Sequence, residues 1–524
     1  MAKNSHGGAA ARGDRTQPPL WLGYLPLVLV CALVVVMVVV VPSTSPGTGA
    51  STGSASEVAD GRPASGWGEA VAACGDRDGQ VEGDGYAPPC FEFSGDNGGA
   101  TARGVTADTI TVSYRVTSDP NLLATLSQVA GMPIDETPDD LARTAEGLVD
   151  YFNANFQLYG RKIELERVEG RGQLIAEFTG GGQDAAANDA LKVANEVEAF
   201  ADVTALTQPY SEALSRNQVV NVGAPYMSAE WFETWRPYAW SNTPDCTVAG
   251  EAATEFATKH LLGRPAEYAL GDLAGRDRKI AIIAPNNREY QQCVDAGLGV
   301  IEDAGYEIGL DLDYVLDLGQ LQTQAASMMA RLRDADITSV ACACDPLTIL
   351  YLTQQAEQQG YDPEWLVVGV GFGDLDLVGQ LINNGSGGNQ WSRAFGGSPY
   401  APQPAPGTSI AYQAYTSVRD DEPSILVDFV YFQLYTLVIG LQMAGPDLTP
   451  ETFETGMLSY PGGTGVAGTW DFDIGHRSAV TDIREIWWDG DTPSPFNGAA
   501  GSYRDNGERY PLGELPEGDP EVFR

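Results

Sequence analysis

Histidine is scarce in this sequence, with three residues in 524, at positions 6, 260 and 476. A Ser-His-Asp arrangement therefore has few candidates, and neither HExxH nor GxxxxGK[ST] occurs. Residues 463–468 match GxGxxG, but they lead into a predicted strand and not a helix, so the geometry that cradles a phosphate is missing. We expect no catalytic residues, no cofactor and no metal ion.

Positive charge is also scarce, because 30 Lys and Arg face 71 Asp and Glu, giving a net charge of −41. Such a surface repels phosphate backbones, so nucleic acid is not expected as a partner. Hydrophobic residues make up 43% of the sequence, enough to bury real cores, so the acidity does not indicate a disordered chain. At about 150 residues per domain, the length predicts two to four lobes.

Charge is absent altogether from residues 20–41, an apolar run of 22 residues. A bilayer core requires about 20 apolar residues in a helix, whereas a cleavable signal peptide has a shorter apolar region. Lys3, Arg12 and Arg15 precede the run, and the next basic residue is Arg62. The positive-inside rule then predicts a short cytoplasmic tail at 1–19, a transmembrane helix at 20–41 and an extracytoplasmic remainder.

Residues 42–66 are rich in Ser, Thr, Gly, Ala and Pro and are predicted to form a flexible linker. A small Cys-bounded segment follows at 67–103. Of the seven cysteines, Cys31 lies within the apolar run and is interpreted as a membrane-buried thiol. An even number in an exported domain indicates disulfides, with 15 possible pairings, of which only a local Cys74–Cys90 bond is favoured. The candidates are Cys74, Cys90, Cys246, Cys293, Cys342 and Cys344.

From residue 104 onward, strand patterns alternate with helical patterns. Residues 109–116 are β-branched and apolar, as in a strand, and 139–156 carry apolar residues at helical spacing. Strands are then predicted at 162–168, 203–207 and 219–224, with a helix at 184–200. The alternation of helices and strands restarts at 247 and continues to 370, and a long apolar helix is predicted at 425–443. Two such blocks indicate two α/β lobes, each with a mostly parallel sheet.

Four segments carry a family resemblance. They are GVTADTITVSY at 104–114, YFNANFQLYGRKIELE at 151–166, NVGAPYMSAEWFETWRPYAWSNTPD at 221–245 and YPGGTGVAGTWDFDIGHRSAVTDIREIWWDGD at 460–491. In this order they resemble the type I periplasmic binding proteins, specifically the branched-chain (Leu/Ile/Val) amino-acid-binding family that supplies ABC transporters. The resemblance runs from about 104 to 490 and implies no enzymatic activity.

The resemblance implies two lobes joined by three crossovers, near 242, 398–410 and 463–467. The first lobe would comprise 104–242 and 410–463, the second 243–409 and 464–490, with an extension at 491–524. Clustered crossovers act as a hinge, so closure over a ligand is the implied motion.

The resemblance also places candidate ligand contacts just after strand ends. In the first lobe these are Thr117, Ser118, Gln208, Tyr210, Ser211 and Tyr226; in the second they are Asn287, Tyr290, Asp345, Phe372 and Asp374. In amino-acid-binding relatives the first-lobe turns bind the ligand carboxylate and a second-lobe carboxylate takes the ammonium group. Here the turns read Thr-Gln-Pro-Tyr-Ser and Ala-Pro-Tyr-Met-Ser. Proline removes a donor and tyrosine adds an apolar face, which favours an aromatic or amide solute over an amino acid.

The sequence therefore predicts a solute-binding protein that captures a small organic molecule for an ABC importer, with a permease as partner. The alternatives are a membrane-anchored sensor or adaptor, and a structural envelope protein whose degenerate cleft is filled by its own side chains. The uncleaved anchor favours a sensor, and the absence of a cytoplasmic signalling domain in this sequence counts against it.

Overall fold

The computed structural model describes residues 62–64, 71–77, 79–117, 119, 136–178, 180–224, 226–317, 319–369, 373–473 and 475–524. The predicted tail at 1–19, the predicted span at 20–41 and most of the predicted linker at 42–66 lie outside the described residues. So do two predicted ligand contacts, Ser118 and Phe372.

The described chain begins with a small antiparallel hairpin, β1 (Val71–Ala73) and β2 (Phe91–Phe93). The first lobe follows as a five-stranded parallel sheet flanked by helices. Its strands are β3 (Thr109–Val116), β4 (Lys162–Glu169), β5 (Ala201–Asp202), β6 (Val220–Val222) and β7 (Ala239–Trp240). Its helices are α1 (Pro138–Asn155), α2 (Leu174–Phe178), α3 (Gln183–Lys192), α4 (Gln208–Arg216) and α5 (Ala229–Thr234).

The second lobe repeats this plan around a larger sheet. Its first elements are α6 (Cys246–Phe256), β8 (Ile280–Pro285), α7 (Arg288–Asp303), β9 (Leu310–Tyr314), α8 (Leu321–Asp334), β10 (Ser339–Cys342), α9 (Pro346–Gln358), β11 (Glu364–Val367), α10 (Asp376–Gly385) and β12 (Ala394–Ser398). Every residue of β8 is buried, as expected for a parallel strand covered on both faces.

The chain then returns to the first lobe and crosses once more. Helices α11 (Ile410–Thr416), α12 (Val427–Ala444) and α13 (Pro450–Ser459) pack on the first lobe, and β13 (Gly463–Gly465) pairs with β14 (Gly468–Trp470). Strands β15 (Asp482–Pro493), β16 (Ala500–Asp505) and β17 (Tyr510–Pro511) join the second sheet. Part of the predicted extension at 491–524 therefore continues that sheet.

Both sheets have the same strand order. The first runs β4-β3-β5-β6-β7, and the parallel part of the second runs β9-β8-β10-β11-β12. Each is a doubly wound 2-1-3-4-5 order, which confirms the predicted α/β fold with two parallel sheets. The strand predicted at 203–207 is wrong, because β5 ends at Asp202 and these apolar residues are buried in a loop.

Three crossovers connect the lobes, after β7, after β12 and after α13. The first and third lie side by side, because Ser241 forms a parallel bridge with Ser478. Asp245 accepts a hydrogen bond of 2.8 Å from the Ser478 hydroxyl. A movement of one lobe relative to the other must therefore bend the first and third crossovers together.

The small Cys-bounded segment packs on the hinge hairpin, which we define as β13, β14 and the turn between them, residues 463–470. The Tyr86 hydroxyl donates to the Gly468 carbonyl and accepts from the Ala467 N–H, both at 2.7 Å. Its ring lies 4.6 Å from that of Trp470, and Tyr86 is almost fully buried. On the other side, Tyr435 of α12 donates to Asp84 at 2.7 Å, so the segment contacts both the hinge and the first lobe.

The six candidate cysteines form three disulfides. Cys74 bonds Cys90 across the small segment, and Cys246 bonds Cys293, joining α6 to α7. The Cys342–Cys344 bond closes a short ring at the end of β10. Each bond links residues close in sequence or on neighbouring helices.

Helix α12 is the one described helix that is long and apolar enough to cross a membrane. All of its residues are buried within the protein, so it forms the core of the first lobe. Close packing depends on glycine: a Cβ at Gly456 of α13 would lie 2.5 Å from the Met443 carbonyl carbon and 2.6 Å from the Ala444 nitrogen.

We expect Gly456→Ala to lower the free energy of unfolding by roughly 1–3 kcal/mol, because the added methyl group collides with backbone. Gly299→Ala is the matched control, since Gly299 also lies in a helix but has nothing within 4 Å of a Cβ. There the better helix propensity of alanine should stabilise by about 1 kcal/mol. Urea unfolding followed by circular dichroism measures both, and equal shifts in the two variants would contradict the packing argument.

Candidate functional site

In doubly wound sheets, ligands bind beyond the carboxyl ends of the strands, where the strand order reverses. The reversal lies between β3 and β5 in the first lobe and between β8 and β10 in the second. The loops that follow these strands and their neighbours bring the two lobes into contact.

Two tyrosines face each other across this boundary. Tyr226 follows β6 in the first lobe, and Tyr290 lies in the first turn of α7 in the second. Their rings are nearly parallel, with centroids 6.2 Å apart and planes inclined by 19°. Phe178 of α2 borders Tyr226, with centroids 5.5 Å apart. The predicted contacts Tyr226 and Tyr290 are therefore brought together, whereas Phe178 was missed by the sequence analysis.

The Tyr226 hydroxyl occupies the amino terminus of α4, where it accepts a hydrogen bond of 2.7 Å from the Gln208 N–H. Such a helix end favours an anion, because its free N–H groups and dipole point outward. Burial raises the pKa of Tyr226 well above its ordinary value, so the group found there is a neutral phenol. The place suited to a ligand carboxylate is thus filled by a side chain of the protein.

Further contacts join the lobes beside the tyrosines. The Ser228 hydroxyl donates to the Gln292 side chain at 2.6 Å. Arg288 pairs with Glu230 at 3.0 Å, but both side chains are largely exposed, so this pair contributes little. The lobes are in direct contact along this line.

Arg115 forms a buried ionic network behind the site, at the end of β3. Its guanidinium donates to both Glu177 oxygens at 3.0 and 2.9 Å and lies 3.4 Å from Asp189. It also covers the ring of Tyr210, with the guanidinium carbon 3.5 Å from the centroid. Thr207, at the start of α4, donates to Glu177 as well, at 2.5 Å. The positive charge of Arg115 is therefore paired with carboxylates of the first lobe.

Two predicted first-lobe contacts point into the lobe instead of the cleft. Tyr210 is fully buried and donates to Asp202 at 2.9 Å, and Ser211 donates to Asn221 at 2.5 Å. Because α4 begins at Gln208, its third and fourth residues face the sheet. Thr117 follows β3 and is half-buried.

The second-lobe candidates divide similarly. Asp345 caps α9, accepting from the N–H groups of Leu347 and Thr348 at 3.0 Å and from the Tyr314 hydroxyl at 2.7 Å. Asp374 is buried away from the tyrosines, bonded to Ser398 at 2.5 Å, and burial raises its pKa. Asn287 precedes α7 and is half-buried. Besides Tyr290 itself, Asp345 acts on the site, because its charge, after burial, raises the pKa of Tyr290.

The charged groups that influence the two tyrosines are acidic. Burial is the largest cause that raises the pKa of Tyr226, followed by Tyr290 and then by the charges of Glu177 and Glu212. Burial is also the largest cause for Tyr290, followed by the charges of Asp345 and Glu289. Glu212, another residue missed by the sequence analysis, accepts from the Trp231 indole at 3.1 Å. The two carboxylates near Tyr226 have partners of their own, since Glu177 pairs with Arg115 and Glu212 with Arg216 at 2.5 Å. A flat apolar surface results, and these two acidic groups beside it are already paired.

Two α/β lobes, three crossovers and a cleft at the strand ends define a two-lobed binding protein. A sequence model of the periplasmic binding protein family matches residues 139–491, and the chain therefore belongs to that family. It is a solute-binding protein of the kind that serves ABC transporters, with an extracytoplasmic binding domain, and not an enzyme. The predicted family is confirmed.

Solved structures share the fold at low sequence identity. A solute-binding protein from Rhodopseudomonas palustris HaA2, in complex with p-hydroxybenzoic acid, has a TM-score of 0.52 and 13% identity over 77% of this chain and 98% of that chain. A fatty acid ABC transporter substrate-binding protein from Thermomonospora curvata has a TM-score of 0.51 and 14% identity over 79% and 98%. An ABC transporter substrate-binding protein from Sphaerobacter thermophilus has a TM-score of 0.51 and 15% identity over 78% of this chain and 100% of that chain. No curated protein sequence matches the chain.

Proposed function

We propose that this protein is the receptor of an ABC importer for a small planar solute, neutral or cationic, which binds between Tyr226 and Tyr290. The observation that carries the proposal is the near-parallel pair of rings, one from each lobe. Closure of the lobes then brings one aromatic face to each side of the solute.

The orientation of the rings supports capture by a hinge movement. The two planes are inclined by only 19°, so lobes that move apart leave two aromatic faces turned toward each other. Carbon atoms in contact lie about 3.5 Å apart, so a flat ring between two others requires about 7 Å between the outer ring planes. An opening to that separation admits an aromatic ring, which then stacks on both sides.

Charge supports a solute without a free carboxylate. The Gln208 N–H is used by the Tyr226 hydroxyl, and Arg115 is used by Glu177 and Asp189. The p-hydroxybenzoic acid held by the Rhodopseudomonas protein is planar, like the solute proposed here, but it carries an acid group. An amide or an amine needs no basic partner and therefore suits this cleft better than an acid.

The membrane attachment is part of the proposal. The apolar run at 20–41 would anchor the protein with the basic residues at 1–19 inside, and 42–66 would tether the binding domain near its permease. The lobes would then be 104–242 with 410–463 and 243–409 with 464–490.

The contact between lobes favours a second candidate function. Tyr226 fills the helix end and Ser228 bonds Gln292, so the cleft is closed by the protein's own side chains. A sensor, or an envelope protein whose cleft closes on itself, would have this arrangement.

We expect benzamide and benzylamine to raise the thermal unfolding temperature of the protein, and benzoate and L-leucine to leave it unchanged. A ligand at a hundredfold excess over its Kd stabilises by about 2.7 kcal/mol. Tyr290→Ala should weaken binding about tenfold or more, since one stacking face is lost. Tyr306→Ala is the control, because Tyr306 is an exposed second-lobe tyrosine.

The result that contradicts the receptor is a folded protein that binds none of the planar solutes. That result would favour the closed-cleft candidate. A benzoate shift equal to that of benzamide would refute the charge argument and leave the aromatic one in place.

A further inference from the structure

The second lobe contains an apolar cavity between its sheet and the helices α6 and α7. Strands β8, β10 and β11 form the floor, and the two helices form the roof. The residues on which the argument depends are Gly250, Ala253, Ala284, Tyr290, Gly297 and Ala341. The cavity lies behind the site described above and not between the lobes.

Small residues create this space. Ala284 and Ala341 line it from the sheet, and Ala253 lines it from α6. Gly250 and Gly297 also line it, but a Cβ at either would point at the neighbouring helix, 2.9 Å from the Cys293 carbonyl oxygen or 3.0 Å from Thr254 Cγ2. Protein interiors are normally close-packed, with Ile, Leu or Val in such positions. Ala341 is only half-buried although its strand lies inside the sheet, between β8 and β11. The packing between helices and sheet is therefore incomplete at this point.

The walls of the cavity suit a hydrocarbon. Thr254 adds a hydroxyl, but it donates to the Gly250 carbonyl at 2.9 Å and to the Glu251 carbonyl at 3.1 Å. The cavity has a volume of about 60 Å³. A site for one water molecule needs about 10–15 Å³, and apolar cavities bind hydrocarbon in preference to water.

The cavity is elongated and one end meets the cleft. Along α7 its lining runs from Tyr290 to Ile301, a rise of about 16 Å. The Cys246–Cys293 disulfide lines the cleft end and ties the two helices together there. Tyr290 belongs to both places, because it lines the cavity and stacks on Tyr226. Rotation of the Tyr290 side chain would connect the cavity with the cleft.

We propose that this cavity binds a short alkyl group of the solute, which enters past Tyr290 while the planar part of the solute stays in the cleft. The proposal rests on the proposed function for the planar part. It adds that the natural solute is amphiphilic, with a neutral or cationic planar head and an apolar tail.

The first arm of the test probes the cavity alone with n-pentane, which has no flat ring to stack between the two tyrosines. Pentane should raise the thermal unfolding temperature of the wild-type protein and give saturation-transfer signals in NMR. Ala341→Leu fills the cavity from the sheet and Ala253→Leu from the helix; both should remove the effect. Ala296→Leu is the control, because Ala296 lies on α7 but does not line the cavity. No pentane effect in the wild type, or equal effects in all four proteins, would overturn the proposal.

The second arm tests the connection to the cleft by comparing benzamide with 4-propylbenzamide. The three buried carbons of the propyl group, two methylenes and a methyl, should strengthen binding to the wild type about tenfold or more, and to Ala341→Leu by less than about threefold. If benzamide binds but the propyl group adds nothing, the tail site is refuted and the proposed function stands. If neither amide binds but pentane does, the planar receptor fails and the cavity remains a separate apolar site.

Discussion

Replacing Arg115 by methionine is expected to lower the free energy of unfolding by roughly 3–5 kcal/mol, the largest effect anticipated for this protein. Its side chain is fully buried between Glu177 and Asp189. Methionine keeps much of the apolar length but leaves two buried carboxylates without their cation. Removing one partner of a buried ion pair is far more costly than replacing all of its members.

Two further variants decide whether the charge is responsible. Arg115→Met combined with Glu177→Gln should recover part of the loss, since one of the two stranded charges is removed. Arg276→Met breaks the half-exposed pair with Asp336 and should cost less than about 1 kcal/mol. Urea unfolding gives all three values. An Arg115→Met loss no greater than that of Arg276→Met would show that the network contributes nothing beyond a surface pair.

The second large effect is a dependence of stability on pH that comes from Asp428. This carboxyl group lies in the first turn of α12, almost fully buried, and one of its oxygens has no hydrogen-bond partner among the described residues. Burial raises its pKa to about 7. The folded state therefore holds a proton that the unfolded state releases near pH 4. This stabilisation is complete below pH 4 and is lost as the pH rises through 7.

Comparison with Asp428→Asn isolates this contribution. From pH 5 to pH 8 the wild-type protein should lose roughly 2–3 kcal/mol more than the variant, because each pKa unit corresponds to about 1.4 kcal/mol. Urea unfolding at the two pH values gives this difference. Asp420→Asn is the control, since Asp420 is exposed. If the wild type and Asp428→Asn respond equally to pH, the group titrates as it does in water and the interpretation is wrong.

The fold could be predicted from the sequence because long, regular elements carry their own pattern. The strand at 109–116 has the predicted bounds, and α1 differs from its prediction by one residue at each end. The strand predicted at 203–207 failed because buried loops are as apolar as buried strands. Strand β5 has only two residues, which is too short for a periodic signal.

The candidate site could be predicted only in part. The rule that ligand contacts follow strand ends predicted Tyr226 and Tyr290, and the structure brings their rings together between the lobes; their contact with a ligand stays a prediction. The direction of a side chain within a helix depends on where the helix begins, which is why Tyr210 turned out to be buried in the first lobe. Phe178 and Gln292 reach the site from elements that adjoin it only in the folded protein. Phe178 has no predicted site residue near it in the sequence, whereas Gln292 lies two residues after the predicted Tyr290 on α7 and only the folded structure shows that it meets Ser228.

The position of Tyr86 makes the amino-terminal end of the domain a mechanical part of the hinge. Its hydroxyl holds the hinge hairpin at Ala467 and Gly468, and the Cys74–Cys90 bond makes the segment that carries it rigid. Tension on the chain ahead of Cys74 therefore reaches the point about which the lobes turn. A domain fixed to a surface through this end would therefore transmit a pull on its attachment to the hinge hairpin.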